Sequence, residues 1–198
     1  MESKKLKDIC KIRSGTSFKK KPIQSDVGDF WVLESSAYLK EGSFNPKKMV
    51  HVSNDNSLEP SKSLKPGEVL IRAKGGKHQS IYFDYSGDRF PIYPTSYFLI
   101  ISTIEPDYLR ADYLSWYLNQ NIVQGELDKL AGGSTVKHLT VSRISSLQVK
   151  VPSLEKQQKI LELYGFIKQE KIIYEEIVNL KNEYYEAVIS YFSGGFND

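Results

Sequence analysis

Cysteine occurs once in the 198 residues, at Cys10. An intrachain disulfide is therefore excluded, and the usage fits a reducing compartment. Cys10 falls among the alternating apolar residues Leu6, Ile9 and Ile12, which predicts a buried and inert thiol. Histidine is almost as scarce. His51, His78 and His138 stand apart and have no cysteine partners at metal-ligand spacing, so they read as surface or hydrogen-bonding residues and no metal is expected. No apolar run reaches 18 residues, which excludes a membrane-spanning helix, and the N-terminus is too charged for a signal peptide. The expectation is a cytoplasmic protein.

Catalytic motifs are also missing. Gly76-Lys77 is not a phosphate-binding loop, because Ile71 stands where the first glycine belongs and His78 replaces the Ser or Thr. There is no GxGxxG and no Asn/Asp-Pro-Pro-aromatic run of the kind a DNA amino-methyltransferase needs. Pro106-Asp107 has no acid-x-Lys after it to complete a nuclease site. No enzyme activity and no bound cofactor are expected of this chain.

Charge of one sign is not in excess overall. The formal net charge is +3, and the distribution is more informative than the total. Met1 to Pro22 carries eight Lys or Arg against two acids, Glu2 and Asp8. A basic edge of this kind suits nucleic acid, and also suits ordinary solvation.

Proline and glycine nearly vanish after Pro152. Gly165 is the single glycine before Gly194, and no proline follows. With Ser153 as N-cap and Gly194-Gly195 as the stop, one helix of about forty residues and roughly 60 Å is predicted. A globule of about 150 residues is only about 30–40 Å across, so the helix is expected to protrude. Its apolar residues form two rows at a spacing near 3.5. One is Ile160, Ile167, Tyr174, Lys181 and Val188; the other is Leu163, Glu170, Ile177, Tyr184 and Tyr191. Eight of these ten positions are apolar or aromatic, which specifies a coiled-coil seam. Glu170 and Lys181 interrupt it, and Tyr164, Ile173, Val178, Leu180, Tyr185 and Phe192 widen it. Such a seam suits an antiparallel pair or a small bundle. The alternative, a helix folded back on its own domain, has no stretch long enough to cover it.

The rest reads as an α+β domain with a mixed, curved sheet and short helices. Lys4 to Arg13 is a short helix or helical turn leading into a strand, broken at Ser14-Gly15-Thr16. Strands are expected at Asp29–Leu33, Lys48–Val52, Val69–Ile71, Ser80–Tyr85, Tyr93–Ile101 and Leu147–Val151. Pro94 places its strand at an edge or bulge. Leu64 to Glu68 is a turn centred on Pro66-Gly67. Helices follow Glu105-Pro106-Asp107 and run again from Ile122 to Leu130. The expected division is 1–151 for a recognition domain, 152–192 for the helix and 193–198 for a flexible tail.

Two glycine-rich basic loops stand out, Arg72 to Gln79 and Gly132 to His138. Arg, Lys and Gln read base edges in the major groove, while Ser, Thr, Lys and backbone N–H groups hold phosphates. Glycine allows close backbone approach to a phosphate. Either loop alone also reads as a solvated turn; together with the Lys19 to Lys21 cluster they suggest a DNA-facing edge, whose candidate residues are Lys19, Lys20, Lys21, Tyr38, Arg72, Lys74, Lys77, His78, Gln79, Ser134, Thr135, Lys137 and His138. The residues expected to meet a partner helix are Ile160, Leu163, Ile167, Tyr174, Ile177, Tyr184, Val188 and Tyr191.

Four segments, in order, resemble the specificity subunits of type I restriction–modification systems. LKDICKIRSGTSF resembles the opening of their target recognition domain. LKPGEVLIRAKG is similar to their Leu-x-Pro-Gly-Asp strand and glycine loop, with Glu68 in place of the usual acid. GGSTVKHL is similar to their Gly-Ser-Thr-x-x-x-Leu segment. LQVKVPSLEKQQKI resembles the junction where a strand ends in Pro-x-Leu-Glu-x-Gln and enters the conserved helix. The last two are the most specific, and Phe30 to Lys62 is generic.

The resemblance implies a non-catalytic subunit that recognises double-stranded DNA and positions methyltransferase subunits, and through them a restriction subunit. S-adenosylmethionine and ATP would belong to those partners. Family members hold two recognition domains and two helices, whereas this chain holds one of each, as a half-subunit or a fragment would. A half would act as a homodimer through its helix, with each chain reading one half-site of a bipartite site. Two other readings stand beside it: an interaction module that modulates assembly of a restriction complex, and the recognition domain of a fused nuclease-methyltransferase.

Overall fold

The computed structural model of the chain describes residues 2–39, 43–53, 58–85, 90–132 and 137–194. The elements, in order, are β1 (Glu2–Lys5), α1 (Leu6–Ile9), β2 (Cys10–Ser14), β3 (Phe30–Leu33), β4 (Tyr38–Leu39), β5 (Ser43–Phe44), β6 (Val50–Val52), β7 (Glu68–Arg72), β8 (Ser80–Phe83), β9 (Ile92–Pro94) and β10 (Phe98–Thr103). They are followed by α2 (Ala111–Leu118), α3 (Asn121–Ala131), α4 (Val141–Ile144), β11 (Gln148–Val151) and α5 (Leu154–Phe192). The architecture is α+β, as expected. Contacts divide the chain into two units, Met1–Gln157 and Gln158–Asp198.

In the first unit the main ladder has the order β2-β10-β7-β8, antiparallel throughout. A second ladder, β6-β3-β9, is mixed because β3 pairs antiparallel with β6 and parallel with β9. Two short antiparallel pairs, β1–β11 and β4–β5, complete the strands among the described residues. Successive residues of a strand face opposite ways, and β7 is buried on both sides. Leu70 packs with Ile100, Phe98, Phe83, Leu33 and Ile92, joining the two larger ladders. Val69 and Ile71 face the other way, and α2 packs across β7 and β8. β11 shows the clean alternation that its sequence predicts, with Val149 and Val151 buried and Gln148 and Lys150 exposed.

Local chemistry explains several boundaries. Lys65 to Glu68 is a type II turn: Glu68 N–H donates to the Lys65 carbonyl at 3.1 Å and Gly67 takes φ +91°, the left-handed value a side chain disfavours. The Glu68 carboxylate of that motif is buried and saturated. It accepts from Arg13 Nη2 at 2.8 and 3.0 Å, from Lys65 N–H at 2.9 Å and from the Ser102 hydroxyl at 2.9 Å. Arg13 also donates to the Lys62 and Ser63 carbonyls, pinning the turn to β2. At the edge of the main ladder, Asn119 stands in for a missing strand. It accepts from Ser80 N–H at 2.8 Å and donates to the Ser80 carbonyl at 2.9 Å.

One strand prediction is corrected. Tyr93 to Ile101 is not continuous; it is β9, a turn at Thr95–Tyr97, and β10, and the two strands lie in different ladders. Pro94 ends β9, the edge strand of its ladder, where a missing N–H costs nothing. Gly15 explains the tightness of this turn. A Cβ there would lie 2.1 Å from the Thr95 carbonyl oxygen.

The second unit is the remainder of α5, which is unbroken from Leu154 to Phe192, roughly 58 Å at about 1.5 Å per residue. Gly194, with φ +85° and its N–H directed to the Tyr191 carbonyl, ends it as a left-handed cap. No helix among the described residues is long and apolar enough to cross a membrane.

Candidate nucleic-acid interface

The two glycine loops that are 60 residues apart in sequence meet in space. β7 ends at Arg72, and Arg72 N–H donates to the Gln79 carbonyl at 3.1 Å, closing the first loop at its base. Inside it, Ala73 is held from both sides: its N–H donates to the Tyr97 carbonyl and its carbonyl accepts from Leu139 N–H, each at 2.8 Å. Lys74 and His138 then pair as an antiparallel bridge. The end of the second loop is therefore laid along the first.

The second loop is clamped at its base by Arg143 of α4. Its guanidinium donates to the carbonyls of Ala131 and His138, which flank the loop on either side. Gly132, with φ +57°, leaves room for it; a Cβ would lie 3.2 Å from Arg143 Nη1. Thr140 caps α4 by accepting from Arg143 N–H.

Of the candidate residues, Lys77, Lys137 and His138 are exposed, and Arg72, Lys74 and Gln79 are half-buried. The Arg72 guanidinium carbon lies 5.6 Å from the centre of the Tyr97 ring, and Arg72 Nη2 donates to the Tyr97 hydroxyl at 3.1 Å. Lys137 Nζ pairs with Asp128 of α3 at 2.8 Å. The region thus gathers Arg72, Lys74, Lys77 and Lys137 with the carboxylate of Asp128, an electropositive concentration on backbone held by hydrogen bonds.

His78 is placed differently from the expectation. Its ring is fully buried. Nδ1 donates to the Arg72 carbonyl at 2.7 Å, since a carbonyl only accepts, and Nε2 faces Asp128 at 3.9 Å. The His78 carbonyl accepts from Gln124. An imidazole held this way fastens the loop from inside and is not displayed to a ligand. Ser134 and Thr135 lie outside the described residues.

Lys19, Lys20 and Lys21 are exposed on the connection between β2 and β3. That connection is anchored by Thr16, which pairs with Thr95, and by Phe18, which packs on Phe30, Val32 and Tyr93. The described contacts do not join these lysines to the glycine loops; the Thr95–Tyr97 turn touches both regions. Tyr38 lies in β4 with its backbone opposite Phe44. Among the described residues no three His, Cys, Asp or Glu side chains gather into a metal site.

On α5 the seam residues are open in the single chain: Leu163 is 61% exposed, Tyr174 61%, Tyr184 65% and Tyr191 82%. Ile167 and Ile177 are exposed, and Ile160 and Val188 half-buried. Phe166, Ile172 and Ile189 are exposed as well. Together these side chains expose more apolar surface to water than an isolated helix gains from.

Residues 1–183 match the family model described as the type I restriction modification DNA specificity domain. The chain belongs to this family. Comparison with curated proteins gives no match. Three solved structures share the fold of this specificity domain. The S subunit of a type I restriction–modification system from M. genitalium superposes with a TM-score of 0.57 at 12% identity, over 85% of this chain and 39% of that one. The HsdS subunit from Thermoanaerobacter tengcongensis gives 0.62 at 16% identity, over 85% and 37%. A chain from the work on complex assembly and conformational transition of the type I R-M system gives 0.65 at 18%, over 94% and 41%. The specificity domain here spans about two fifths of the length of these chains.

Three residues that hold the loops and the turn before β7 escape a reading of the sequence alone. Arg143 and Asp128 lie on helices that look merely amphipathic, and Arg13 looks like one more basic residue of the N-terminal cluster. Gln157 carried a signal, being the glutamine of Pro-x-Leu-Glu-x-Gln, but was not among the candidates.

Proposed function

We propose that the chain is a non-catalytic DNA sequence-recognition part of a type I restriction–modification system. The observation that carries this is the Lys74–His138 bridge, which joins two basic glycine loops into one patch within a DNA specificity domain. Lys74, Lys77 and Lys137 hold phosphates, and Arg72 and Gln79 are suited to base edges. Most contacts fall on phosphate, as is general for such interfaces. Lys19, Lys20 and Lys21 extend the footprint along the backbone, while His78 holds the loop. Each chain reads one half-site. Two chains pair through α5 as a two-fold homodimer, and the exposed apolar residues of that helix support the pairing. The assembled helices also receive methyltransferase subunits, which carry S-adenosylmethionine.

The test is selection from a random duplex pool at fixed near-physiological salt, because non-specific affinity falls steeply with salt. The chain is used alone and with the methyltransferase encoded beside it. Enrichment of a palindromic split motif supports recognition and two-fold pairing together. A single ungapped half-site keeps recognition and removes the homodimer. No enrichment from a verified complex overturns DNA reading and leaves an assembly-modulating interaction module.

A further inference from the structure

The amide of Gln157 is the single buried side chain of α5 among the described residues, and its exposure is 0%. Oε1 accepts from Arg110 N–H at 3.0 Å. Nε2 donates to the carbonyls of Tyr108 and Pro152, each at 2.9 Å. Both donors of the amide are used, and every partner is backbone. Residue, partners and hydrogen bonds all lie within the first unit, Met1–Gln157.

The partners come from two places. Pro152 follows β11 and lies two residues before α5. Tyr108 and Arg110 flank the buried Leu109, immediately before α2, and Arg110 is the N-cap residue of that helix. α2 in turn packs across β7 and β8, the two strands that bound the first glycine loop. One amide therefore connects the first turn of the long helix to the helix backing the strands of the candidate interface. A buried amide is tolerated only where its hydrogen bonds are met. These bonds are met in one placement of the first turn, and sliding or rolling that turn leaves donors and acceptors unmatched on both sides.

We infer that Gln157 is the positioning residue that fixes the start of α5 to the DNA-reading domain, and that it thereby restricts the spacing accepted between two half-sites. This rests on the two-fold, bipartite reading above. B-DNA advances about 3.4 Å and turns about 35° per base pair. A spacer one base pair too long demands a shift and rotation at the first turn of α5 by an appreciable part of that amount. A first turn held by three backbone hydrogen bonds resists the movement, and a first turn without them yields.

The experiment uses the full chain and two substitutions. Gln157→Met keeps the length of the side chain and removes all three hydrogen bonds. Gln157→Glu keeps an acceptor for Arg110 N–H and removes both donors. Binding is measured to duplexes carrying two copies of the selected half-site in inverted orientation, with the spacer stepped by one base pair over two helical turns, and to a duplex with one half-site. The wild-type chain is expected to favour one spacer over its neighbours by about tenfold, the size of a one-mismatch penalty. The variants are expected to keep single-half-site affinity within about twofold and to accept adjacent spacers with less than about threefold discrimination. A merely structural role would weaken all duplexes alike. An unchanged spacer profile in a folded variant overturns the inference and leaves the bipartite reading intact. So does loss of half-site binding, or the absence of a cooperative thermal transition in both variants, since either makes Gln157 a fold-holding residue only. A wild-type chain indifferent to spacing overturns the two-fold reading itself, and the inference with it.

Discussion

Replacing Arg13 by Met removes the only cation paired with the buried Glu68 carboxylate among the described residues. In the native chain that carboxylate has four donor contacts, two of them from Arg13 Nη2. After the substitution the Lys65 N–H and the Ser102 hydroxyl remain, both neutral. Truncating one partner of a fully buried pair costs about 3–5 kcal/mol. Here the Arg13 side chain is 30% exposed and that of Glu68 9%, so water partly reaches the vacated site. The cost therefore falls below that range, and a loss of about 2–3 kcal/mol is expected, in keeping with hydrogen bonds to a charged group. For a domain near 150 residues this lowers Tm by about 5–10 °C. Urea unfolding monitored by circular dichroism should show the midpoint falling with the slope unchanged. A cycle with Glu68→Gln should return a coupling of about 1.5–3 kcal/mol. At a temperature where both proteins are folded, half-site affinity should stay within about twofold, because the acid of the Leu-x-Pro-Gly-acid motif faces inward and holds a turn. A stability loss under about 0.5 kcal/mol, or a coupling near zero, refutes the assignment of Glu68 and Arg13 as a structural hub.

Burial pushes the Cys10 thiol up to about 12, so the folded chain holds it protonated where an unfolded chain begins to ionise near about pH 8.5. Stability is then undiminished below that pH and declines as pH rises toward 12, since the unfolded state sheds the proton first. Alkylation at pH 8 should run at least about 100-fold slower than in denaturant and should track unfolding. Asn119→Ala removes both bonds that complete the edge at Ser80 and should cost about 2 kcal/mol, with faster hydrogen exchange at the Ser80 amide. Replacing Lys74, Lys77 and Lys137 together with Ala should abolish specific binding while leaving assembly with methyltransferase intact. If each holds one phosphate, the slope of log K against log salt for the remaining non-specific binding should be smaller by about 0.9 per lysine removed.

Much of the chain is legible one element at a time, because the governing physics is local. The Pro66-Gly67 turn follows from fixed φ at proline and positive φ at glycine. The alternation of β11, the helical periods of α2 and α3, and the uninterrupted α5 follow from side-chain spacing alone. Where two local signals looked alike, the sequence misled. Tyr93 to Ile101 is apolar on both sides of Pro94, and nothing local distinguishes one long strand from two strands separated by a three-residue turn. The break comes from Gly15 and Thr16 packing against Thr95, some eighty residues away.

Composition and order determined that this chain is an α+β domain with a long apolar-seamed helix, a lone thiol and no catalytic motif, because those properties rest on residue type and spacing. Only the tertiary structure decided which basic residues share a surface. The Lys74–His138 bridge and the Arg143 clamp bring two distant loops together, and the same packing turns His78 inward although its neighbour Lys77 faces out. It also gave Gln157, Arg13 and Glu68 their hydrogen-bond partners. A polar side chain acquires a definite function when burial removes water as an alternative partner, and burial is a property of the folded chain rather than of any segment of it.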